Sequence, residues 1–487
     1  MKIACIYTVE NNEKGKNSLN SWPAVPFGIA MIAASLEKAG HEIKVVVVTL
    51  ATDIADLKTD LFDDSAVDAV CFTAVSSQFE AVKAIAKELK KVQPKVPIIL
   101  GGHHATLASE DAIACKDIDA ICVGEGDLAA VEYFSQLAQG TTPKEVPNFW
   151  IKQPDGELIK NPNGCFYPDL DKLPFINRKQ WLPWVKDPEL SGVILLGRGC
   201  PFRCTYCSNH SLKNIAKGRY VRKRTVPNVI EELESLLEMN PKLQSIYFEI
   251  ETISAFLSYL HELCEALKEF NQKRKVPIKF GVNMTVTSKL ARNEDIARKM
   301  LAGLQEAGFT FINYGLESGS ERIREEILRR PKYTNEEIIQ FSNWVDDYKI
   351  KKNIFVLIGL PTETVEDFEE TKAVTKACKP TQTDLSIFYP YPGTDLYDMA
   401  VELKLFDPLK VQSASERKRI NLKLPGFSKT RILYEYHSFR RRFVALKNDD
   451  LKSVLIAAQS FLRSYPKIEP YVDSFVKAYF AIKSKLK

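Results

Sequence analysis

The sequence predicts an α/β protein with a Rossmann-like doubly wound sheet at its amino terminus, a partial (β/α)6 barrel after it and a helical segment at its carboxyl end. Three observations carry this prediction. Short apolar runs alternate with helical patterns from residue 1 to residue 397. Glycines stand directly behind several of those runs, at Gly101-Gly102 and at Gly124-Glu125-Gly126. A proline-dense stretch at 141–190 separates an earlier series of five runs from a later series of six.

The first series reads as strands at 3–9, 43–49, 69–74, 98–100 and 120–123, with helical patterns filling the gaps. The glycines behind the fourth and fifth runs put bare backbone at the strand carboxyl ends, the edge where such sheets receive ligands. Tight turns alone would also account for them. The segment 141–190 holds Pro143, Pro147, Pro154, Pro162, Pro168, Pro174, Pro183 and Pro188, which interrupt helices and long strands, so it reads as a linker. Trp181 and Trp184 within it are read as packing residues. The second series lies at 193–196, 245–249, 278–283, 310–314, 354–358 and 385–389, and six β/α units make an open barrel rather than a closed eight. The expected domains are therefore 1–140, the linker 141–190, 191–397 and a basic helical domain at 398–487.

Composition agrees with a large globular chain: 487 residues, 45% apolar and 26% charged, are enough for about three domains. There is no run of eighteen apolar residues, and the apolar start is shorter than a secretory leader's, so a cytoplasmic location is expected. Residues 411–487 carry seventeen Lys plus Arg against six Asp plus Glu. There Arg440-Arg441-Arg442, beside Tyr434, Tyr436, Phe439 and Phe443, offers an acidic membrane surface or a phosphate a binding face, unless it is simply a solvated helix face.

Cysteine usage points to chemistry. Of ten cysteines, Cys5, Cys71, Cys115, Cys122, Cys165, Cys264 and Cys378 fall singly in strand or helix patterns, which is not a disulfide framework. The other three stand in Gly197-Arg-Gly-Cys200-Pro-Phe-Arg-Cys204-Thr-Tyr206-Cys207 directly after a strand. C-x3-C-x2-C spacing can place three thiolates on one face of a [4Fe–4S] cluster and leave one iron open. The competing reading is a zinc site closed by His210, in which a metal-stapled module would grip nucleic acid with the basic tail.

The run Arg198-Gly-Cys200-Pro-Phe-Arg-Cys204-Thr-Tyr206-Cys207 resembles the cluster signature of the radical S-adenosylmethionine (SAM) enzymes. Asn313-Tyr-Gly-Leu-Glu317-Ser318-Gly319-Ser320 resembles that superfamily's fourth-strand motif, Phe355-Val-Leu-Ile-Gly359-Leu-Pro361-Thr-Glu363-Thr its fifth-strand turn, and Phe388-Tyr-Pro-Tyr-Pro392-Gly393-Thr394 its sixth-strand exit. By this resemblance Cys200, Cys204 and Cys207 hold the cluster, while Tyr206, Glu249, Asn283, Glu317, Ser318 and Gly359 contact SAM. Glu251 accompanies Glu249 as an acidic pair.

Further upstream, Pro26-Phe-Gly28 through Gly40-His-Glu, then Ser76-Ser77-Gln78, Gly101-Gly102-His103-His104-Ala-Thr106 and Val123-Gly124-Glu125-Gly126 resemble in order the cobalamin-binding domain fused to one radical SAM branch. The resemblance implies cobalamin contacts at Ser76, Ser77, Gln78, Gly101, Gly102, His103, Gly124, Glu125 and Gly126. The D-x-H-x-x-G motif that supplies a histidine to cobalt elsewhere is absent, since the first histidine is His41. The implied protein is a cobalamin-dependent radical SAM enzyme using a [4Fe–4S] cluster, SAM and cobalamin. Its implied reaction is methyl transfer to an unactivated carbon of a small molecule, driven by a 5′-deoxyadenosyl radical. The alternative with the same cofactors is a radical rearrangement or cyclisation. An external electron donor such as flavodoxin or ferredoxin is an expected partner, and nucleic acid is not.

Overall fold

A computed structural model describes residues 1–11, 15, 17–64, 66–408, 416–444 and 462. Fifteen strands are described: β1 Lys2–Val9, β2 Glu42–Thr49, β3 Ala69–Thr73, β4 Ile98–Gly101, β5 Ala120–Cys122, β6 Phe149–Lys152, β7 Leu158–Lys160, β8 Gly192–Leu195, β9 Gly197–Arg198, β10 Arg222–Lys223, β11 Ser245–Glu249, β12 Lys279–Met284, β13 Phe309–Glu317, β14 Lys351–Ile358 and β15 Gln382–Ile387.

The first sheet runs β2-β1-β3-β4-β5-β6-β7. Its first five strands pair in parallel, as near-continuous apolar runs buried on both faces require. The helix Phe27–Lys38 packs on one face over Cys5, Cys71 and Ile99, and the helix Phe79–Val92 on the other over Ile6, Phe72 and Leu100. Strands β6 and β7 join antiparallel to β5. They lie inside the proline-dense stretch expected to be a linker. Phe149 and Ile151 alternate with half-buried neighbours there, and Pro147 and Pro154 stand outside the ladder, so the prolines bound the strands rather than break them. The first sheet thus continues to Lys160 instead of closing at residue 140. Trp181 is fully buried in the same core, a packing residue as expected.

The second sheet runs β15-β14-β13-β12-β11-β8 and its six strands are those the apolar runs predicted. β8 pairs in parallel with β11, β11 with β12, β13 with β14 and β14 with β15. Gly192 starts β8 beneath the side-chain tips of Ile246, Leu236 and Leu243, which a Cβ there, 2.7 Å from Ile246 Cδ1, would push aside. Helix starts follow capping chemistry: Thr225 accepts from Asn228 N–H, while Thr334 with Glu337 and Thr364 with Asp367 form reciprocal boxes.

Contacts divide the chain into two compact units. One comprises Met1–Asn283, Gly303–Thr310 and Tyr391–Asp395, and so holds the entire first sheet together with β8, β11 and β12. The other comprises Met284–Ala302, Phe311–Pro390 and Leu396–Lys487. Among the described residues no helix is long and apolar enough to cross a membrane. The side chains of Arg440, Arg441, Arg442 and Phe443, on which the membrane-surface expectation rests, lie outside the described residues.

Candidate functional site

In the first unit, β8 delivers the chain to a loop opened by β9 and closed by β10. These two short strands pair antiparallel, with Arg198 opposite Arg222. The ribbon is tight enough to require glycine on both sides of Arg198. A Cβ at Gly197 would stand 2.5 Å from the Arg222 carbonyl, and Gly199 takes φ +85 with its Cβ position 2.6 Å from the Tyr220 carbonyl. Between these strands lie Cys200, Cys204 and Cys207, all half-buried. Cys207 N–H donates to the Cys204 carbonyl at 3.1 Å, which curls the chain between the two thiols. Burial pushes the Cys200 thiol up to about 12, and the charges of Glu251, Cys207 and Cys204 add to that. A thiol raised in this way ionises only against a bound cation, and with Cys204 and Cys207 half-buried on the same loop the all-sulfur donor set suits an iron–sulfur cluster.

Asn209, missed by the sequence reading, borders this loop. Its Nδ2 lies 3.5 Å from Cys207 Sγ and its Oδ1 accepts from Tyr220 OH at 2.6 Å. His210 instead turns to the sixth-strand exit, with Nε2 3.0 Å from Asp395 Oδ1, and Ser211 Oγ donates to the Gly393 carbonyl beside it. That pairing occupies Nε2, while Nδ1 of His210 is buried with no hydrogen-bond partner among the described residues. Glu249 ends β11 half-buried, and burial together with the charge of Glu251 pushes it up to about 7. Burial raises Glu251 as well, against the hydrogen bond from Asn209. Asn283 is half-buried near the end of β12, and Tyr206 is half-buried in the cysteine loop.

The first sheet's carboxyl edge gathers most of the residues expected to touch cobalamin. Ser76, Ser77 and Gln78 form a 3-10 turn after β3. Gln78 is committed to the fold, accepting from Val75 N–H at 3.0 Å and donating to the Thr8 carbonyl at 2.7 Å. Gly102 follows β4 at φ +90, and a Cβ there would lie 2.6 Å from Thr73 Oγ1. His103 is exposed, whereas His104 is buried against Phe79 at 4.0 Å with Nδ1 3.2 Å from Ser76 Oγ. Gly124 takes φ +100 after β5 and donates its N–H to Thr106 Oγ1 at 3.0 Å. Gly126 brings the backbone under the helix Phe27–Lys38, where a Cβ would be 3.0 Å from Ile32 Cδ1. Glu125 does not face this edge. Its carboxylate is held by Arg222 at 2.9 and 2.5 Å and by Tyr167 N–H at 3.0 Å. Asp127, two residues on, is held by Arg198 at 2.7 and 2.9 Å. Neither pairing was foreseen.

In the second unit, β13 exits through a bulge between Gly315 and Glu317, and Glu317 sits at φ +61, a conformation non-glycine residues adopt only when surroundings hold it. Arg330 does so, donating to the Gly315 carbonyl at 2.8 Å with Nη1 3.4 Å from Glu317 Oε1. Ser318 is fully buried, its Oγ 3.2 Å from Thr371 Oγ1 and its carbonyl accepting from Arg324 at 2.7 Å, so its side chain braces the loop. Gly359 takes φ +81 and donates its N–H to Glu363 at 2.6 Å.

Comparison with known proteins agrees with these two sets of loops. A B12 binding domain model matches residues 23–134 and a radical SAM superfamily model matches residues 194–374. An uncharacterized methyltransferase of Pyrococcus horikoshii is 28% identical over 393 residues, covering 77% of this chain and 78% of that protein. An anaerobic magnesium-protoporphyrin IX monomethyl ester cyclase of Rubrivivax gelatinosus is 25% identical, covering 81% and 69%. The structure of TsrM from Kitasatospora setae, a radical SAM methyltransferase with tryptophan substrate and a SAM analog bound, shares the fold. It superposes with a TM-score of 0.65 at 15% identity over 92% of this chain and 89% of that one. With a B12-binding domain and a radical SAM domain in this order, on the loops just described, the chain belongs to the cobalamin-binding radical SAM enzymes.

Proposed function

We infer that the protein is a cobalamin-dependent radical SAM methyltransferase that methylates an unactivated carbon of a small molecule. One observation supports this reading: the loop bearing the three cysteines and the loop after β5 are ion-paired to each other within one compact unit, as a protein that brings two cofactors to one substrate requires. When bound, the cluster and SAM supply hydrogen abstraction from an inert C–H bond, and cobalamin supplies a transferable methyl group. Cys200, Cys204 and Cys207 hold the cluster. Glu249, which burial raises to about 7, and Asn283 offer polar contacts to SAM or substrate from the ends of β11 and β12. Ser76, Gly102 and Gly124 line the edge that receives cobalamin. No Ser–His or His–Asp pair is assigned an acid–base role, because hydrogen abstraction asks for none. A one-electron donor of the flavodoxin or ferredoxin type completes the system.

The cyclase likeness favours a second reading, radical cyclisation with the same cofactors and no methyl transfer. The test begins with anaerobic reconstitution and measurement of iron, cobalt and zinc in wild type and Cys204→Ala. The expected result is about four irons and one cobalt per chain, with iron lost in the variant. Zinc without iron or cobalt would overturn both readings. Turnover products then divide them. Deoxyadenosine together with S-adenosylhomocysteine marks methylation, and deoxyadenosine alone marks cyclisation.

A further inference from the structure

The residues that join the two cofactor loops form a closed set of four charges. Arg198 and Arg222 stand directly opposite each other on the β9–β10 ribbon, an arrangement that by itself repels. Two carboxylates spaced i, i+2 on one strand-exit loop, Glu125 and Asp127, meet them, each pair bidentate. Arg198 Nη1 also lies 3.5 Å from Glu125 Oε1, which links the pairs into one network. Further contacts fix each arginine. Arg198 donates to Met31 Sδ at 3.2 Å, and Arg222 donates to the Tyr167 carbonyl at 2.7 Å with its guanidinium 5.2 Å from the Phe166 ring centroid. Side-chain exposures are 19% and 4% for Arg198 and Asp127, and 2% and 19% for Arg222 and Glu125. Burial alone would raise both carboxyls, yet the arginines hold both below the ordinary range, so the network is ionised at neutral pH.

We propose that this four-charge clamp sets the separation and orientation of the cobalamin and cluster sites, and that Glu125 and Asp127 are positioning residues rather than cobalamin ligands. The geometry favours this because both arginines flank the cysteine loop at the mouth of its ribbon while both carboxylates belong to the Gly124–Asp127 turn whose glycines face the sheet edge. Bidentate forks fix angle as well as distance, which a single lysine contact cannot do. The inference rests on the assignment of these two loops to cobalamin and cluster.

The test uses the full chain with both cofactors bound, each reduced by one electron with dithionite so that cob(II)alamin and the cluster are both paramagnetic. Their separation is read by pulsed dipolar electron spin resonance. Glu125→Gln with Arg222→Gln removes one pair without stranding a buried charge. Glu125→Arg with Arg222→Glu restores it with the signs exchanged. Wild type is expected to give one narrow distance distribution. The neutral double variant is expected to bind cobalamin within about threefold of the wild-type Kd but to show a distribution at least twice as broad, and the exchanged pair to narrow it again. A distribution unchanged in the neutral variant would overturn the proposal. So would a loss of cobalamin affinity of tenfold or more shared by the neutral double variant and the exchanged pair, which would make Glu125 a ligand. Should the neutral variant not fold, the exchanged pair alone decides, since a clamp predicts wild-type width and a cobalamin ligand at position 125 predicts lost affinity. Wild type that takes up no cobalamin or no iron would instead defeat the functional reading on which the clamp is built.

Discussion

Glu363 shows how much a single side chain can hide in a motif. Its Oε2 accepts the N–H groups of Gly359 at 2.6 Å and Leu360 at 3.1 Å, and it is 1% exposed. Burial raises it to about 8 despite those two amides, so at neutral pH the folded protein holds a proton that the unfolded chain has released. Stability from this proton is complete below the usual glutamate range and is lost as pH rises toward 8 and beyond. Glu363→Gln, which keeps an acceptor for both amides, is expected to flatten the fall in thermal stability between pH 5 and pH 9. The difference amounts to about 1.4 kcal/mol per pKa unit, read by calorimetry across pH. Glu125 and Asp127 behave oppositely: burial raises them, the arginines win, and the stability they add is present above the carboxylate range and lost as pH falls below it. Asp127→Asn strands Arg198 and is expected to cost about 3–5 kcal/mol at pH 7 and less near pH 3, measured by urea unfolding. In the sequence, Gly-Leu-Pro-Thr-Glu363 was legible as a turn and Gly-Glu125-Gly as a strand exit. The directions in which Glu125 and Asp127 point were not, because they depend on Arg222 and Arg198, 97 and 71 residues away.

At the level of elements, legibility followed length and patterning. The apolar runs of β1 to β5 and the six strands of the second sheet were plain, since buried apolar side chains recur along them. The two-residue strands β9 and β10 carry no periodicity, and only the glycines on either side of Arg198 betray the ribbon. β6 and β7 were masked by neighbouring prolines. Turn geometry at strand ends is the most exacting local feature. Gly102→Ala must force a Cβ to 2.6 Å from Thr73 Oγ1 and 2.9 Å from the Ala74 carbonyl at a positive φ. The expected cost is about 2–4 kcal/mol in urea unfolding, with cobalamin affinity reduced in parallel when followed by the corrin absorbance.

For the whole molecule, compactness does not follow the order of domains along the chain. The first sheet and the strands β8, β11 and β12 form one unit, and residues 141–190 are built into it through β6, β7, Trp181 and Arg178, whose Nη2 contacts buried Glu232 at 2.6 Å. A fragment ending at residue 140 therefore leaves the edge of β5 unpaired and is expected to aggregate. A fragment of residues 1–283 restores β6 and β7 to that edge, and less aggregation than in the 1–140 fragment is expected in light scattering. The sequence suggested the first boundary because it reports local pattern, whereas unit membership is decided by contacts across long separations. The distribution of sulfur over this architecture has its own consequence. Cys5, Cys71, Cys122, Cys264 and Cys378 are buried, Cys165 is exposed, and Cys115 and the three loop cysteines are half-buried, Cys115 reacting alike before and after chelation. The molecule is thus its own assay for assembly: intact-mass counting after brief alkylation, before and after chelation of iron, should gain three adducts per chain, giving cluster occupancy molecule by molecule rather than as a bulk average.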